Sequence, residues 1–273
     1  MPPFNIKRGS IMARICPLFS SSSGNSIYIR DDDGKGVLID AGVSYKRLSE
    51  ALIRAGGDFE NLSAIFITHE HSDHIAGVST LLKKHNIPLY ATAGTIEGMI
   101  KKGAVPKGTK VYEITNETAA GDIIVKRFAT SHDANEPSGY SVTLKGGKKI
   151  TVCTDLGVVT NEVRQNLLGS NLVFFESNHD VEMLKRGPYP PPLKLRILSD
   201  KGHLSNISSA AELPALIKGG TTRIILGHLS KENNLPTLAR LTAVNQLKLI
   251  GAKEDEDYIL TVAKPEGNGV TAI

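Results

Sequence analysis

The apolar run Leu62-Ser63-Ala64-Ile65-Phe66-Ile67 empties directly into Thr68-His69-Glu70-His71-Ser72-Asp73-His74, and no other segment constrains the chain as strongly. A short apolar run bounded by polar residues reads as a buried strand. Three of the eight histidines of the chain fall within the seven positions that follow it. Imidazole and carboxylate are favoured ligands of zinc and similar divalent ions, and they are poor packing material at a strand exit. The segment therefore reads as a metal-binding loop rather than as a solvated turn that happens to be rich in histidine. One loop offers too few ligands for metal chemistry, so the fold must bring others to the same strand end.

Short strands fill the first third: residues 14–18, 26–29 and 36–40, the last two joined by the hairpin-turn loop Asp31-Asp32-Asp33-Gly34-Lys35-Gly36. A helix is expected from Ser44 to Ala55, with Leu48, Leu52 and Ala55 on one face and Gly56-Gly57 ending it. After the histidine cluster, residues 75–85 read as one helix, 88–91 as a strand and 95–102 as a helix. Strands near 111–114, 123–129, 141–144 and 149–154 follow, then a helix at 161–168 and a strand at 172–176. A polar, proline-rich bend is expected through Pro192, then helix 205–218, strand 222–226, helix 235–249 and strand 256–262. Strand clusters interleaved with helices suggest an α/β chain in which two mixed sheets pack face to face with helices outside. No repeat, low-complexity tract or linker divides it. Residues 1–11 read as a polar extension and 12–273 as a single domain.

Further donors do stand at strand exits. His132 follows Ile124-Val125-Lys126-Arg127-Phe128-Ala129, Asp155 follows Ile150-Thr151-Val152-Cys153-Thr154, and His228 follows Arg223-Ile224-Ile225-Leu226-Gly227. Each alone reads equally as a loop histidine, a turn former or a helix cap. Their joint placement points to one cleft at a sheet edge.

The set Thr68–His74, with Asp40 upstream and His132, Asp155 and His228 downstream, resembles the metallo-β-lactamase superfamily in the order of all five of its motifs. The resemblance covers residues 14 to 262 and implies the four-layer αββα sandwich of that family. It also implies that His69, His71 and His132 hold one metal, that Asp73, His74 and His228 hold a second, and that Asp155 bridges them. Asp40 is similar to the family aspartate that orients a ligand histidine. Two metals a few Å apart acidify a bridging water and polarise the oxygen under attack, so the implied chemistry is hydrolysis by a metal-bridging hydroxide, with Asp73 positioning it. The redox branch of the family carries glutamate where His71 stands, which sets a di-iron oxidoreductase aside.

Two later segments are unusually polar for strand ends: Phe174-Phe175-Glu176-Ser177-Asn178-His179-Asp180 and Ser199-Asp200-Lys201-Gly202-His203-Leu204-Ser205-Asn206. They resemble the phosphodiesterase side of the superfamily, in which a glutamate after a strand acts with a later histidine. Carried over, Glu176 orients His203 and His203 donates a proton to a phosphate oxygen or to the leaving group. A poor alkoxide leaving group makes such a donor useful, typically by about 10²–10⁴-fold in rate. The opening Ser20-Ser21-Ser22-Ser23-Gly24-Asn25-Ser26, the Glu-Ser-Asn-His-Asp segment, Gly187-Pro188-Tyr189-Pro190 and Gly-His-Leu-Ser-Asn are similar to the YycJ/WalJ-type bacterial family. That resemblance implies a DNA exonuclease working 5′ to 3′. Only 73 positions separate Asp155 from His228, too few for the inserted domain of the RNA-processing exonucleases. A transfer-RNA processing role is disfavoured as well, since no flexible tRNA-binding arm is evident.

Ser22, Ser23 and Asn25 are candidate phosphate contacts, with a plain Ser/Gly turn as the competing reading. Asn178, Arg196 and Ser205 are further substrate candidates, and Arg186, Lys194 and Lys201 lie in the same stretch around His203. Tyr189 is placed to stack on a base or to anchor its loop. His179 is ambiguous, and His85 reads as a surface residue. Lys plus Arg exceed Asp plus Glu by 4, which permits an anionic substrate without requiring one. Cys16 and Cys153 have no CxxC partner and read as free thiols of a reducing compartment. With no membrane-length apolar run and no signal core, the expected location is the cytoplasm. The ligand types suit zinc or manganese, with iron possible, and oligomeric state is not readable. Two other functions stay open at this level: hydrolysis of a small phosphodiester or ester metabolite, and a non-catalytic metal-binding regulator.

Overall fold

The computed structural model describes residues 13–267 and 271–272, so the expected extension at 1–11 lies outside the described residues. Strands β1 (Arg14–Ser21), β2 (Gly24–Arg30) and β3 (Gly36–Ile39) form an antiparallel meander. Then α1 (Tyr45–Arg54), β4 (Leu62–Phe66), α2 (Ser72–Ile75), α3 (Val78–Lys84), β5 (Leu89–Ala91), α4 (Ala93–Lys101) and β6 (Val111–Glu113) continue the sheet with parallel strands. The second half follows the same plan. Antiparallel β7 (Glu117–Ala120), β8 (Ile123–Ala129), β9 (Ser138–Thr143) and β10 (Lys149–Cys153) come first. After α5 (Asn161–Leu167), the strands β11 (Leu172–Glu176), β12 (Arg223–Gly227) and β13 (Ile259–Val262) add on in parallel. Between them lie α6 (Val181–Arg186), α7 (Pro191–Leu198), α8 (Asn206–Lys218) and α9 (Pro236–Lys248), and β14 (Thr271–Ala272) returns to pair with β1. The described residues thus form two seven-stranded mixed sheets, ordered β14-β1-β2-β3-β4-β5-β6 and β13-β12-β11-β10-β9-β8-β7.

Side-chain alternation explains the layering. Along β3, Val37 and Ile39 enter the core between the sheets while Leu38 joins the helix-covered core. On β11, Leu172 and Phe174 face the other sheet, and Val173 and Phe175 face the helices. A strand with period-2 side chains that is apolar on both faces must be covered on both. Helices α1, α3 and α4 cover the first sheet through Leu48, Leu52, Val78, Leu81 and Met99. On the second, α5, α8 and α9 contribute Val163, Leu167, Leu213, Leu216, Ala243 and Leu247. The expected αββα order is present.

Three local expectations need correction. The helix expected over 75–85 is two helices, α2 and α3, separated at Ala76-Gly77. Gly77 N donates to Ala41 O at 2.8 Å, and a Cβ there would collide with the Val43 carbonyl, so the chain turns to seat on the β3 exit. The proline-rich bend instead holds α6 and α7. Pro191 opens α7, where its fixed φ suits the first helical turn and its missing N–H costs nothing. The last strand is shorter than 256–262, beginning at Ile259 after a turn through Asp255, and β7 and β14 were not expected.

Candidate metal centre

The parallel strands of both sheets end at one edge of the molecule, and the polar side chains of interest stand on those exits. Asp40 follows β3, His69 follows β4, Asp155 follows β10, Glu176 ends β11 and His228 follows β12. His132 comes from the exit of β8, which points the same way as β10. Asp40, Asp155 and His228 have φ of 62°, 60° and 57°, and they are three of the four described non-glycine residues in the left-handed region. Such backbone is sparsely populated because Cβ crowds the carbonyl, and it persists where surrounding contacts hold it. Here it swings each side chain off its strand axis into the shared edge.

Three nitrogens converge first. His69 Nε2 lies 3.0 Å from His71 Nδ1, and His132 Nε2 lies 3.3 Å from the same atom. Nitrogens about 2.0–2.1 Å from a tetrahedral zinc are roughly 3.3 Å apart, so this spacing suits a shared cation. Asp73, His74 and His228 offer a second set of donor atoms, all within 4.8 Å of one another. Asp155 stands between the sets, with Oδ1 3.8 Å from His132 Nε2 and Oδ2 3.5 Å from His74 Nε2. Asp155 Oδ2 and His228 Nε2 are buried with no hydrogen-bond partner in the protein, as expected of atoms that await a cation.

The other ring nitrogens are held from behind. His74 Nδ1 is 2.8 Å from Asp40 Oδ2, and Asp40 also accepts from Thr68 N at 2.8 Å. Gly202 O lies 3.1 Å from His132 Nδ1, which places the proton on that nitrogen and leaves Nε2 to the cluster. Glu176 is fully buried and holds two rings, since its Oε1 is 2.8 Å from His203 Nδ1 and 2.8 Å from His228 Nδ1. Its Oε2 accepts from Leu156 N at 3.0 Å and Leu204 N at 3.3 Å. Asn25 reaches from β2 to Asp73 Oδ2 at 3.2 Å and His74 Nε2 at 3.1 Å. Glu70, inside the histidine motif, turns away and accepts from Asn135 N at 2.9 Å.

Charge is divided across the cluster. Burial, then the neighbouring imidazoles, hold His69 well below the usual imidazole range, and burial also lowers His71 and His132. Their lone pairs are free for a cation. Burial opposes charge on His74 and His228 as well, but the adjacent carboxylates outweigh it: Asp40 and Asp155 raise His74, and Asp155 and Glu176 push His228 up to about 9. Asp73 and Glu176 stay ionised despite burial, because His74 lowers the first and His203 the second. A divalent cation would replace the protons on His74 and His228.

A cleft of about 210 Å³ opens onto this cluster, lined by Ser22, His71, Asp73, His132, Asp155, Asn178, Tyr189, Leu193, Arg196, Ile197, His203, His228 and Ser230. A larger groove of about 600 Å³, with Lys83, Lys84, Lys110 and Tyr112 on its walls, holds no His/Asp cluster among the described residues. Of the substrate candidates, Ser22, Asn178 and Arg196 face the cleft. Asn178 also ties the loop by donating to His228 O at 2.9 Å, and Arg196 pairs bidentately with Asp133 at 2.5 and 2.9 Å. Asn25 sits within the metal-donor cluster, and Ser23 lines a small neighbouring cleft. Ser205 is buried as the N-cap of α8, accepting from Ser208 N at 3.1 Å, and does not line the cleft. His179 is buried nearby without lining it, and His85 meets Tyr45 Oη at 2.8 Å far from the cluster. Reading the sequence missed the second partner of Glu176, the Asp133 clamp, Asn25 at the donors and the wall made by α7. Pro191 followed by apolar positions was the one available signal for that helix.

Comparison with known proteins gives the family and the fold. Residues 35–229 match the beta-lactamase superfamily domain. Exodeoxyribonuclease WalJ of Streptococcus pneumoniae is 42% identical over 234 residues, spanning 84% of this chain and 86% of that protein. Exodeoxyribonuclease YycJ of Bacillus anthracis is 39% identical over 251 residues, spanning 91% and 94%. Among solved structures, Zn(2+)-bound PqqB from Methylobacterium extorquens superposes with a TM-score of 0.68 at 16% identity, covering 93% of this chain and 98% of that one. The chain belongs to the metallo-β-lactamase superfamily of hydrolases and, within it, to the YycJ/WalJ-type family.

Proposed function

We propose that the chain is a binuclear metal-dependent phosphodiesterase acting on DNA, an exonuclease of 5′ to 3′ polarity, built as one domain over 12–273 and working in the cytoplasm. Among the described residues no helix is long and apolar enough to cross a membrane. In this reading His69, His71 and His132 would hold one ion and Asp73, His74 and His228 the other, with Asp155 within reach of both sets and Asp40 fixing His74. Zinc or manganese suits this N/O donor set, and cell supply selects between them. Bound ions would supply an acidified water and neutralise the charge that builds on the phosphate.

The observation that carries the reading is the carboxylate of Glu176, 2.8 Å from both His203 Nδ1 and His228 Nδ1. It ties a ring on the cleft wall to the metal-donor cluster itself. Glu176 fixes the ring of His203 through Nδ1, and His203, which lines the cleft, delivers a proton to the leaving alkoxide as the P–O bond breaks. Asp73 aligns the attacking water. A thioester expels a thiolate, a better leaving group than an alkoxide, and needs no such donor. The WalJ and YycJ names support DNA as the substrate, and Ser22, Asn178 and Arg196 are placed to meet its backbone.

The test compares substrates under one metal series. With added zinc or manganese, purified protein is expected to shorten DNA, and Asp73→Ala is expected to stop it with the far-UV spectrum unchanged. Turnover of bis-p-nitrophenyl phosphate with every DNA left intact would favour a small-diester hydrolase. No turnover of either by metal-loaded protein would make it a regulator.

A further inference from the structure

The cleft is lined by the carboxylates of Asp73 and Asp155, yet the proposed substrate is a polyanion. Metals held by the cluster would neutralise the scissile phosphate, and a neighbouring phosphate needs a cation at the rim. Three Arg or Lys residues line the cleft and its small neighbour: Arg196, Arg47 and Lys231. Asp133 engages Arg196, and Glu266 engages Arg47 at 2.6 Å. Lys231 has no carboxylate within ion-pair distance among the described residues, and its Nζ donates instead to the neutral Ser23 Oγ at 3.2 Å.

That contact is part of a built junction. The β1–β2 turn and the segment after β12 are joined below by His228 N donating to buried Ser20 Oγ at 2.8 Å, and above by Lys231 on Ser23. Between these two ties, Ser22 and Ser230 face the catalytic cleft. Ser21 Oγ lies 2.9 Å from Ser23 Oγ and accepts from Ser23 N, which fixes the hydroxyl next to the ammonium. We infer that Lys231, with the Ser23 hydroxyl, forms a subsite for the DNA phosphate adjoining the scissile one, beside the metal cluster. The inference rests on the nuclease reading. It makes Lys231 a substrate-positioning residue whose effect depends on a flanking phosphate.

The experiment crosses enzyme and substrate variants. Substrates are a single-stranded oligodeoxynucleotide, the same strand with an uncharged methylphosphonate at the linkage next to the scissile one, and thymidine 5′-p-nitrophenyl phosphate, which has no flanking phosphate. Lys231→Met is expected to raise KM for the natural strand by roughly three- to tenfold with kcat little changed, and to lower the slope of log KM against log salt by about 1. It should leave the p-nitrophenyl ester unaffected, and Lys231→Arg should restore the natural KM. On the methylphosphonate strand, wild type should show the same loss and Lys231→Met no further loss. Equal losses on all three substrates would assign Lys231 a structural role, and no loss on DNA or multiplying losses would remove the subsite. If wild type cuts no DNA, the nuclease reading itself falls and takes the subsite with it.

Discussion

At the residue scale the centre depends on which nitrogen each histidine commits. His74, His132 and His228 each present Nδ1 to a fixed oxygen and keep Nε2 for the cluster, whereas His71 turns Nδ1 inward. Glu176 serves both a ring of the donor cluster and the ring assigned to proton transfer, so two substitutions should separate its roles. His203→Ala is expected to lower kcat about 10²–10⁴-fold with metal content unchanged by elemental analysis. Glu176→Gln should lower kcat and also weaken metal binding by about 10–100-fold, since His228 loses its orienting carboxylate. Equal metal content and affinity in both variants would contradict the shared role. The donors were legible in the sequence because each is a histidine or acid just past an apolar run. The partner of Arg196 was not, because Asp133 and Arg196 lie 63 positions apart and only the folded loop brings them together.

Among the elements, α7 decides the shape of the cleft. Leu193, Arg196 and Ile197 form one wall, clamped by Arg196 on Asp133 and by Ser131 on the Asp200 carbonyl. Both members of the Arg196 pair are substantially exposed, so the pair adds little to global stability. Arg196→Ala should therefore raise KM for DNA several-fold while shifting the unfolding free energy by less than about 1 kcal/mol. A large loss of stability in denaturant titration would show that the clamp is structural. The β11–α6 connection holds a second device: His179 is buried with neither ring nitrogen bonded in the protein, and burial lowers it from 6.5 to about 4. Its unfolded form takes up a proton first, so this contribution is intact above pH 6.5 and is lost as pH falls toward 4. Between pH 7 and pH 5 the cost is about 2 kcal/mol. His179→Leu should flatten that part of the pH–stability curve, and an unchanged slope would refute the assignment.

Over the whole molecule, two halves with the same antiparallel-then-parallel order place their strand exits at one edge, and the donor cluster joins them. His69, His71 and His74 come from the first half, and His132, Asp155 and His228 from the second. Metal bound across that seam should stabilise the fold by linkage, by about 4 kcal/mol at a 1,000-fold excess over Kd. Calorimetry of chelated protein with and without zinc should show the rise, and His71→Ala should blunt it while reducing bound metal. A rise unaffected by that substitution would place the metal elsewhere. The layering was readable from strands such as β11, whose apolar residues alternate between two cores. Two of the four edge strands were not, since β7 and β14 have four and two residues and are defined by pairing with β8 and β1 rather than by a pattern of their own.

The central claim is that this cluster removes nucleotides from a DNA end, and a time course on 5′-end-labelled DNA tests it most directly. With zinc or manganese, wild type should release the label as mononucleotide from the earliest points, chelator should abolish release, and His203→Ala should slow it at least about 100-fold. Folded, metal-loaded protein that leaves the label on full-length DNA, or that releases it only in internal fragments, would contradict the account.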